Sequence, residues 1–155
     1  MTRVIEGAAE LRSLIGEEIG VSEWQLIDQA AIDRFAEATG DHYFIHVDPE
    51  RARAEAGLAS TIAHGLFTLS LGPMLTYEIV EVRGLGSALN YGYDKVRFTA
   101  PVPVDSRIRL RLALDEVEES ARGVRVTYRQ SFELEGAERP VCVSSWVFFY
   151  WKEKA

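Results

Sequence analysis

The sequence predicts an α+β domain in which one buried helix is followed by four or five long antiparallel strands curved around it. Two observations carry this. Residues 60–77 contain no Asp, Glu, Lys or Arg, and the helix they open is apolar nearly all round, through Leu66, Phe67, Leu69, Leu71, Met74, Leu75 and Ile79. Later in the chain the period switches to two: Ile108, Leu110, Leu112 and Leu114 alternate with Arg107, Arg109 and Arg111.

Each element has its own local signal. Trp24 to Ile27 reads as a short strand. Asp28 is a side-chain cap for a helix through Thr39, with Ile32, Phe35 and Ala36 on one face and Gly40 at its end. Asp48-Pro49 starts a second helix over Glu50 to Ala56, an acidic cap ahead of a proline in the first turn. Ser60 or Thr61 is the expected cap of the long apolar helix, which begins at about Ala63 and must be wrapped by other structure. Pro73 should kink it or free a carbonyl.

Leu89, Tyr91 and Tyr93 lie on odd positions and Val96 and Phe98 on even ones, so a bulge is expected near Asp94-Lys95. Val124, Val126, Tyr128, Phe132 and Leu134 alternate with Arg125, Thr127, Arg129 and Glu133, giving another half-buried strand. Val141 to Trp151 is apolar on both faces, as a central strand would be. Turn residues separate these runs: Pro101, Pro103 and Asp105, then Arg122-Gly123, then Gly136 and Pro140. Neither a repeat nor an internal boundary interrupts the chain, so residues 1–155 are expected to form a single domain.

Composition bounds the function. Hydrophobic residues make up 47% and charged ones 26% of 155 residues, a globular balance with a core of useful size. A net charge of −7 argues against nucleic acid and anionic membrane as partners. Met1 to Glu10 lacks the pattern of a signal peptide, and the uncharged stretch falls short of the ~20 apolar residues of a membrane span. One cysteine, Cys142, forms no internal disulfide and fits a reducing compartment. A cytoplasmic location is expected.

The most informative stretch runs from Thr39 through Gly40-Asp41-His42-Tyr43-Phe44-Ile45-His46 to Val47-Asp48-Pro49. One helix stops at Gly40, irregular backbone follows, and another helix starts at Asp48. Asp41 and His46 either point into one pocket from this loop or serve an ordinary turn, and spacing alone favours the turn. Ala63-His64-Gly65 shifts the balance. A helix start offers unpaired N–H groups, and Gly65 has no side chain to keep a ligand atom away. That suits a backbone donor facing a thioester carbonyl. Tight packing is the competing reason for Gly65, and a structural hydrogen bond is the favoured role of His64.

Gly40-Asp41, Ile45-His46-Val47-Asp48 and Ala63-His64-Gly65, in this order and spacing, resemble the MaoC-like or R-specific enoyl-CoA hydratase family. So does Arg97-Phe98-Thr99-Ala100-Pro101-Val102-Pro103-Val104-Asp105, and the resemblance spans roughly Gln25 to Trp151. It implies a single hot-dog fold, a long central helix wrapped by a five-stranded antiparallel sheet, working as a homodimer. It further implies Asp41 and His46 as the catalytic pair and Gly65 N–H as the oxyanion donor. The implied reaction interconverts 2-enoyl thioesters and (R)-3-hydroxyacyl thioesters, carried on coenzyme A or acyl carrier protein, with no bound cofactor. No metal is expected, since no His/Cys/Glu cluster shows ligand spacing in the sequence. Tyr43-Phe44 stands where many members have Asn-Pro, which affects substrate fit. Tyr43, Phe44, His64 and Ser70 are therefore the candidate substrate-binding residues. Ser70 has a competing role in bonding back to its own helix.

Arg107, Arg109, Arg111, Arg125 and Arg129 read first as a solvated sheet face and second as phosphate contacts, with Lys95 and Arg97 as alternative phosphate partners. Tyr91, Tyr93, Trp146 and Phe148 read as core or dimer contacts. The alternatives to a hydratase are a thioesterase of the same fold and a non-catalytic acyl-CoA-binding protein.

Overall fold

The computed structural model describes residues 2–152. Its centre is an antiparallel sheet with five strand positions. β5 (Ala88–Phe98), β8 (Cys142–Trp151), β7 (Gly123–Leu134) and β6 (Ser106–Glu119) lie side by side in that order. The fifth position is shared by two short strands, β2 (Glu18–Val21) and β3 (Gln25–Ile27), which both pair with β6. The expected five-stranded wrap is thus built from six segments.

Period-two patterning does what it should. Ile108, Leu110, Leu112 and Leu114 are buried toward the helix, as are Val124, Val126, Tyr128 and Phe132 on the neighbouring strand. The outward arginines are neutralised in pairs, with Arg109 and Arg111 sharing Glu133 at 2.7 and 2.9 Å, Arg125 on Glu118 and Arg129 on Asp115. That supports the solvated-face reading. β8 is central, as its two-sided apolarity requires, and the bulge appears where the phase changes. The β5–β8 register shifts between Asp94 and Arg97, with Lys95 at φ 54°.

The helical half begins with elements that have no periodic signal. β1 (Arg3–Glu6) pairs in parallel with β4 (Val80–Arg83), and α1 (Gly7–Ser13) follows β1. α2 (Gln29–Thr39) is capped by the Asp28 side chain on Ala31 N–H and ends at Gly40, whose left-handed φ of 76° suits glycine. A one-turn helix, α3 (Phe44–Val47), replaces the expected irregular loop. α4 (Pro49–Ala56) starts on the Asp48 side chain as expected.

The long central helix is interrupted. α5 (Gly65–Ser70) and α6 (Gly72–Ile79) meet at Leu71, because Pro73 in the first turn of α6 has no N–H to continue the ladder. The helix start is His64, and neither Ser60 nor Thr61 caps it. Thr61 Oγ1 instead donates to Gln29 Oε1. Nor is the helix wrapped on every side. Thr68, Leu69, Gly72, Leu75, Thr76 and Ile79 face the sheet, whereas Leu66, Met74 and Tyr77 are exposed in the single chain.

Candidate active site

α3 carries His46 and is anchored from two directions. Gln29, in the first turn of α2, donates from Nε2 to the His46 carbonyl at 2.8 Å while accepting from Thr61. Ile62 N–H donates to the Ile45 carbonyl at 3.0 Å, and Ile62 bridges to Pro103. The ring then meets the segment it is tied to: His46 Nδ1 lies 2.7 Å from the Ile62 carbonyl. A carbonyl only accepts, so Nδ1 carries the proton and Nε2 keeps its lone pair.

His46 is buried, and that burial is the main reason its pKa lies below the usual 6.5. The bond to Ile62 opposes the shift, the neighbouring His64 adds to it, and Asp41 opposes it more weakly. A base that stays neutral under ordinary conditions is the outcome.

Asp41 follows the Gly40 turn. Its Oδ1 accepts the Tyr43 N–H at 3.3 Å, so the turn role exists alongside any other. Its Oδ2 reaches to 3.9 Å from His64 Nε2, and half of the side chain stays exposed. His64 Nε2 lies 2.9 Å from the Asp41 carbonyl, to which it donates, and its ring stacks on His46 with centroids 3.7 Å apart. The structural role read for His64 is the one observed: it holds the Asp41 backbone next to the His46 ring.

One atom from each of Asp41, His46 and His64 lies within 4.8 Å of the other two. A ligand-type cluster therefore does exist, contrary to the expectation from spacing, because folding brings His64 across 23 residues onto Asp41. Each ring already commits one nitrogen to a backbone carbonyl.

Gly65 N–H is the first of α5 and has no acceptor within the helix. A Cβ at this residue would lie 2.7 Å from the Phe98 ring, so tight packing also demands glycine here. Gly65, Phe98 and His46 line two adjoining cavities. One, of about 390 Å³, adds Ile62, Thr68, Pro101 and Val141. The other, of about 380 Å³, adds Phe35, Thr39, Asp41 and His64.

Three candidates do not join them. Ser70 is exposed and donates to the Leu66 carbonyl at 2.6 Å, the helix back-bond. Tyr43 is 57% exposed and packs on Phe44, whose other neighbour is the Arg51 guanidinium at 4.5 Å, so the pair forms an outer rim. Gln29 and Phe98 are the residues that sequence reasoning missed. Gln29 looks like any first-turn residue, and Phe98 like any strand residue.

A helix cradled by one curved antiparallel sheet, with an Asp/His turn ahead of a glycine helix start, defines the hot-dog class. The chain belongs to the MaoC like domain family, which matches residues 10–134. It is 46% identical to the 3-hydroxyacyl-thioester dehydratase Z of Mycobacterium tuberculosis, across 96% of this chain and 98% of that one. Among solved structures it is similar to the monoamine oxidase regulatory protein from an Archaeoglobus, with a TM-score of 0.79 at 23% identity over 99% of both chains. An R-hydratase from Pseudomonas aeruginosa superposes with a TM-score of 0.71 at 20% identity, over 91% of this chain and 84% of that one.

Proposed function

We propose that this protein adds water to the double bond of 2-enoyl thioesters, and removes it from (R)-3-hydroxyacyl thioesters, using Asp41 and His46 as its acid–base pair. The observation that carries the proposal is their convergence, within 4.8 Å, beside the Gly65 helix start and two cavities. The dehydratase name of the 46%-identical relative supports the same reaction class.

The chemistry follows from the geometry. Polar atoms 4.8 Å apart can both hydrogen-bond one water. His46 Nε2 takes a proton as the water oxygen bonds to the β-carbon, and the π electrons move onto the thioester oxygen. Gly65 N–H meets that developing charge, a donor type worth about 3 kcal/mol. The same proton returns to the α-carbon, directly or through Asp41, so the net change is one added water. Dehydration is the reverse. No step calls for a cofactor, and coenzyme A or acyl carrier protein serves only as the carrier. Lys95 and Arg97 flank Phe98's strand end, are exposed, and have no carboxylate partner among the described residues, unlike the paired sheet arginines. They are the better candidates for the carrier's phosphates.

The test is turnover of crotonyl-CoA and longer enoyl-CoAs, followed as loss of conjugated-thioester absorbance. Turnover supports the proposal; release of free thiol, or acyl-CoA binding with no chemistry at any chain length, sinks it. The pH profile has a defined sign. Burial lowers the folded pKa of His46, so the unfolded chain binds the extra proton first. The acid limb of kcat/KM should therefore fall below pH 6.5, and His46's contribution to stability should decline as pH drops through 6.5 toward the folded pKa. An acid limb at or above that value contradicts the assignment.

The working unit is a homodimer in the cytoplasm. Leu66, Met74 and Tyr77 on the helix, with Leu89, Tyr91 and Phe98 on the edge strand β5, leave a broad apolar surface exposed. An unpaired 11-residue edge strand also needs a cover. No described helix is long and apolar enough to cross a membrane. Sedimentation at micromolar concentration should give a dimer that Tyr91→Glu weakens. A monomer would contradict this assembly.

A further inference from the structure

Among the described residues, three buried polar atoms without partners lie along one seam between helix and sheet: Thr68 Oγ1, Thr76 Oγ1 and Gln130 Nε2. Gln130 is fully buried on the inner face of β7, between the apolar neighbours Tyr128 and Phe132. Its carboxamide oxygen accepts from the Ser144 hydroxyl on β8 at 2.9 Å, which leaves Nε2 toward the helix. There it meets Gly72 so closely that a Cβ on that residue would lie 2.8 Å from Nε2. Helix and sheet touch at this level with no gap.

By its place on the two strands and the helix, this contact lies between two cavities. The cavity that contains His46 and Gly65 reaches Thr68 on the helix and Val141 ahead of β8. A second, of about 460 Å³, is lined by Thr76 on the helix, Trp146 on β8 and Tyr128 on β7. Gly72 lies one turn from each threonine on the same helix face, Ser144 lies between Val141 and Trp146, and Gln130 is the next inward residue after Tyr128. All three elements place the Gln130–Ser144–Gly72 contact between the cavities.

We propose that the Gln130 carboxamide, latched by Ser144, is the floor of the acyl pocket and restricts the enzyme to short acyl chains. The proposal rests on the enoyl-thioester reading above. A hydrocarbon tail reaching this level meets a filled contact and polar groups that it cannot hydrogen-bond. Replacing the amide by a methyl group joins the pocket to the second cavity.

The experiment compares kcat/KM for crotonyl-CoA and octenoyl-CoA in the wild type, Gln130→Ala and Gln130→Leu. The wild type should favour crotonyl-CoA, and Gln130→Ala should raise the octenoyl-to-crotonyl ratio about tenfold or more, within the range that hydrophobic pockets discriminate. Gln130→Leu keeps the bulk and should keep the wild-type preference. An unchanged ratio in folded Gln130→Ala overturns the proposal, as does a wild type that turns over both substrates equally. Should Gln130→Ala fail to fold, Ser144→Ala loosens the latch and should shift the ratio in the same direction by less; no shift there also overturns it. If the wild type turns over neither substrate, the hydratase reading has failed. Calorimetric affinities for butyryl-CoA and octanoyl-CoA then test the floor by itself, with the same shift expected in Gln130→Ala and equal affinities overturning it.

Discussion

Replacing His46 by glutamine is expected to lower kcat/KM for an enoyl thioester by about 10²–10⁴-fold, the usual worth of a positioned general base. The effect is large because the one other imidazole in the cluster cannot substitute: the lone-pair nitrogen of His64 is buried away from solvent. His64 commits its Nε2 to the Asp41 carbonyl, and its Nδ1 is buried without a partner among the described residues. His46→Gln also loses the 2.7 Å bond to Ile62, so some stability, about 1 kcal/mol, should go with it. Asp41→Asn gives the cleaner comparison. The side chain is half-exposed, its size is unchanged, and an amide oxygen still accepts the Tyr43 N–H. Its thermal midpoint should stay near that of the wild type while turnover falls by a similar factor. Full turnover in either variant would remove that residue from the mechanism.

The second large effect is expected at Gly65. Alanine there puts a methyl carbon 2.7 Å from the Phe98 ring, a contact that something must relieve. Overpacking of this kind costs about 1–3 kcal/mol. Here the relief would move either the ring that lines both cavities or the N–H assigned to the thioester oxygen. Gly65→Ala should therefore lose both stability and kcat, the latter by tenfold or more. Phe98→Ala in the same chain opens space for the methyl group and should restore part of both. If the double variant is no better than Gly65→Ala, the glycine is needed for something other than the Phe98 contact.

Much of the site was legible because its signals are local. Asp28, Gly40 and Asp48 announce helix ends through their own hydrogen-bonding or left-handed backbone, and all three ends stand where the sequence places them. The sheet was legible for a similar reason, since alternation within one strand reports its buried face without knowledge of its partners. What escaped depends on distant contacts or on brevity. α3 is four residues long, too short to show a period. β1 pairs with β4 across nearly eighty residues, and nothing within Arg3–Glu6 predicts that. Gln29 takes its role from Thr61, 32 residues away. Pro73 did signal a disturbance in the central helix, but the exposed face formed by Leu66, Met74 and Tyr77 was hidden. Apolarity all round a helix does not say whether its own chain or another covers it.

The most direct test of Asp41–His46 hydration is to incubate the protein with crotonyl-CoA in heavy-oxygen water and read the products by mass spectrometry. The expected product is an intact 3-hydroxybutyryl-CoA carrying one heavy oxygen in its hydroxyl group, of R configuration, absent when Asp41→Asn is used. Free coenzyme A with the label in a released carboxylate, or unlabelled crotonyl-CoA recovered unchanged, would contradict it.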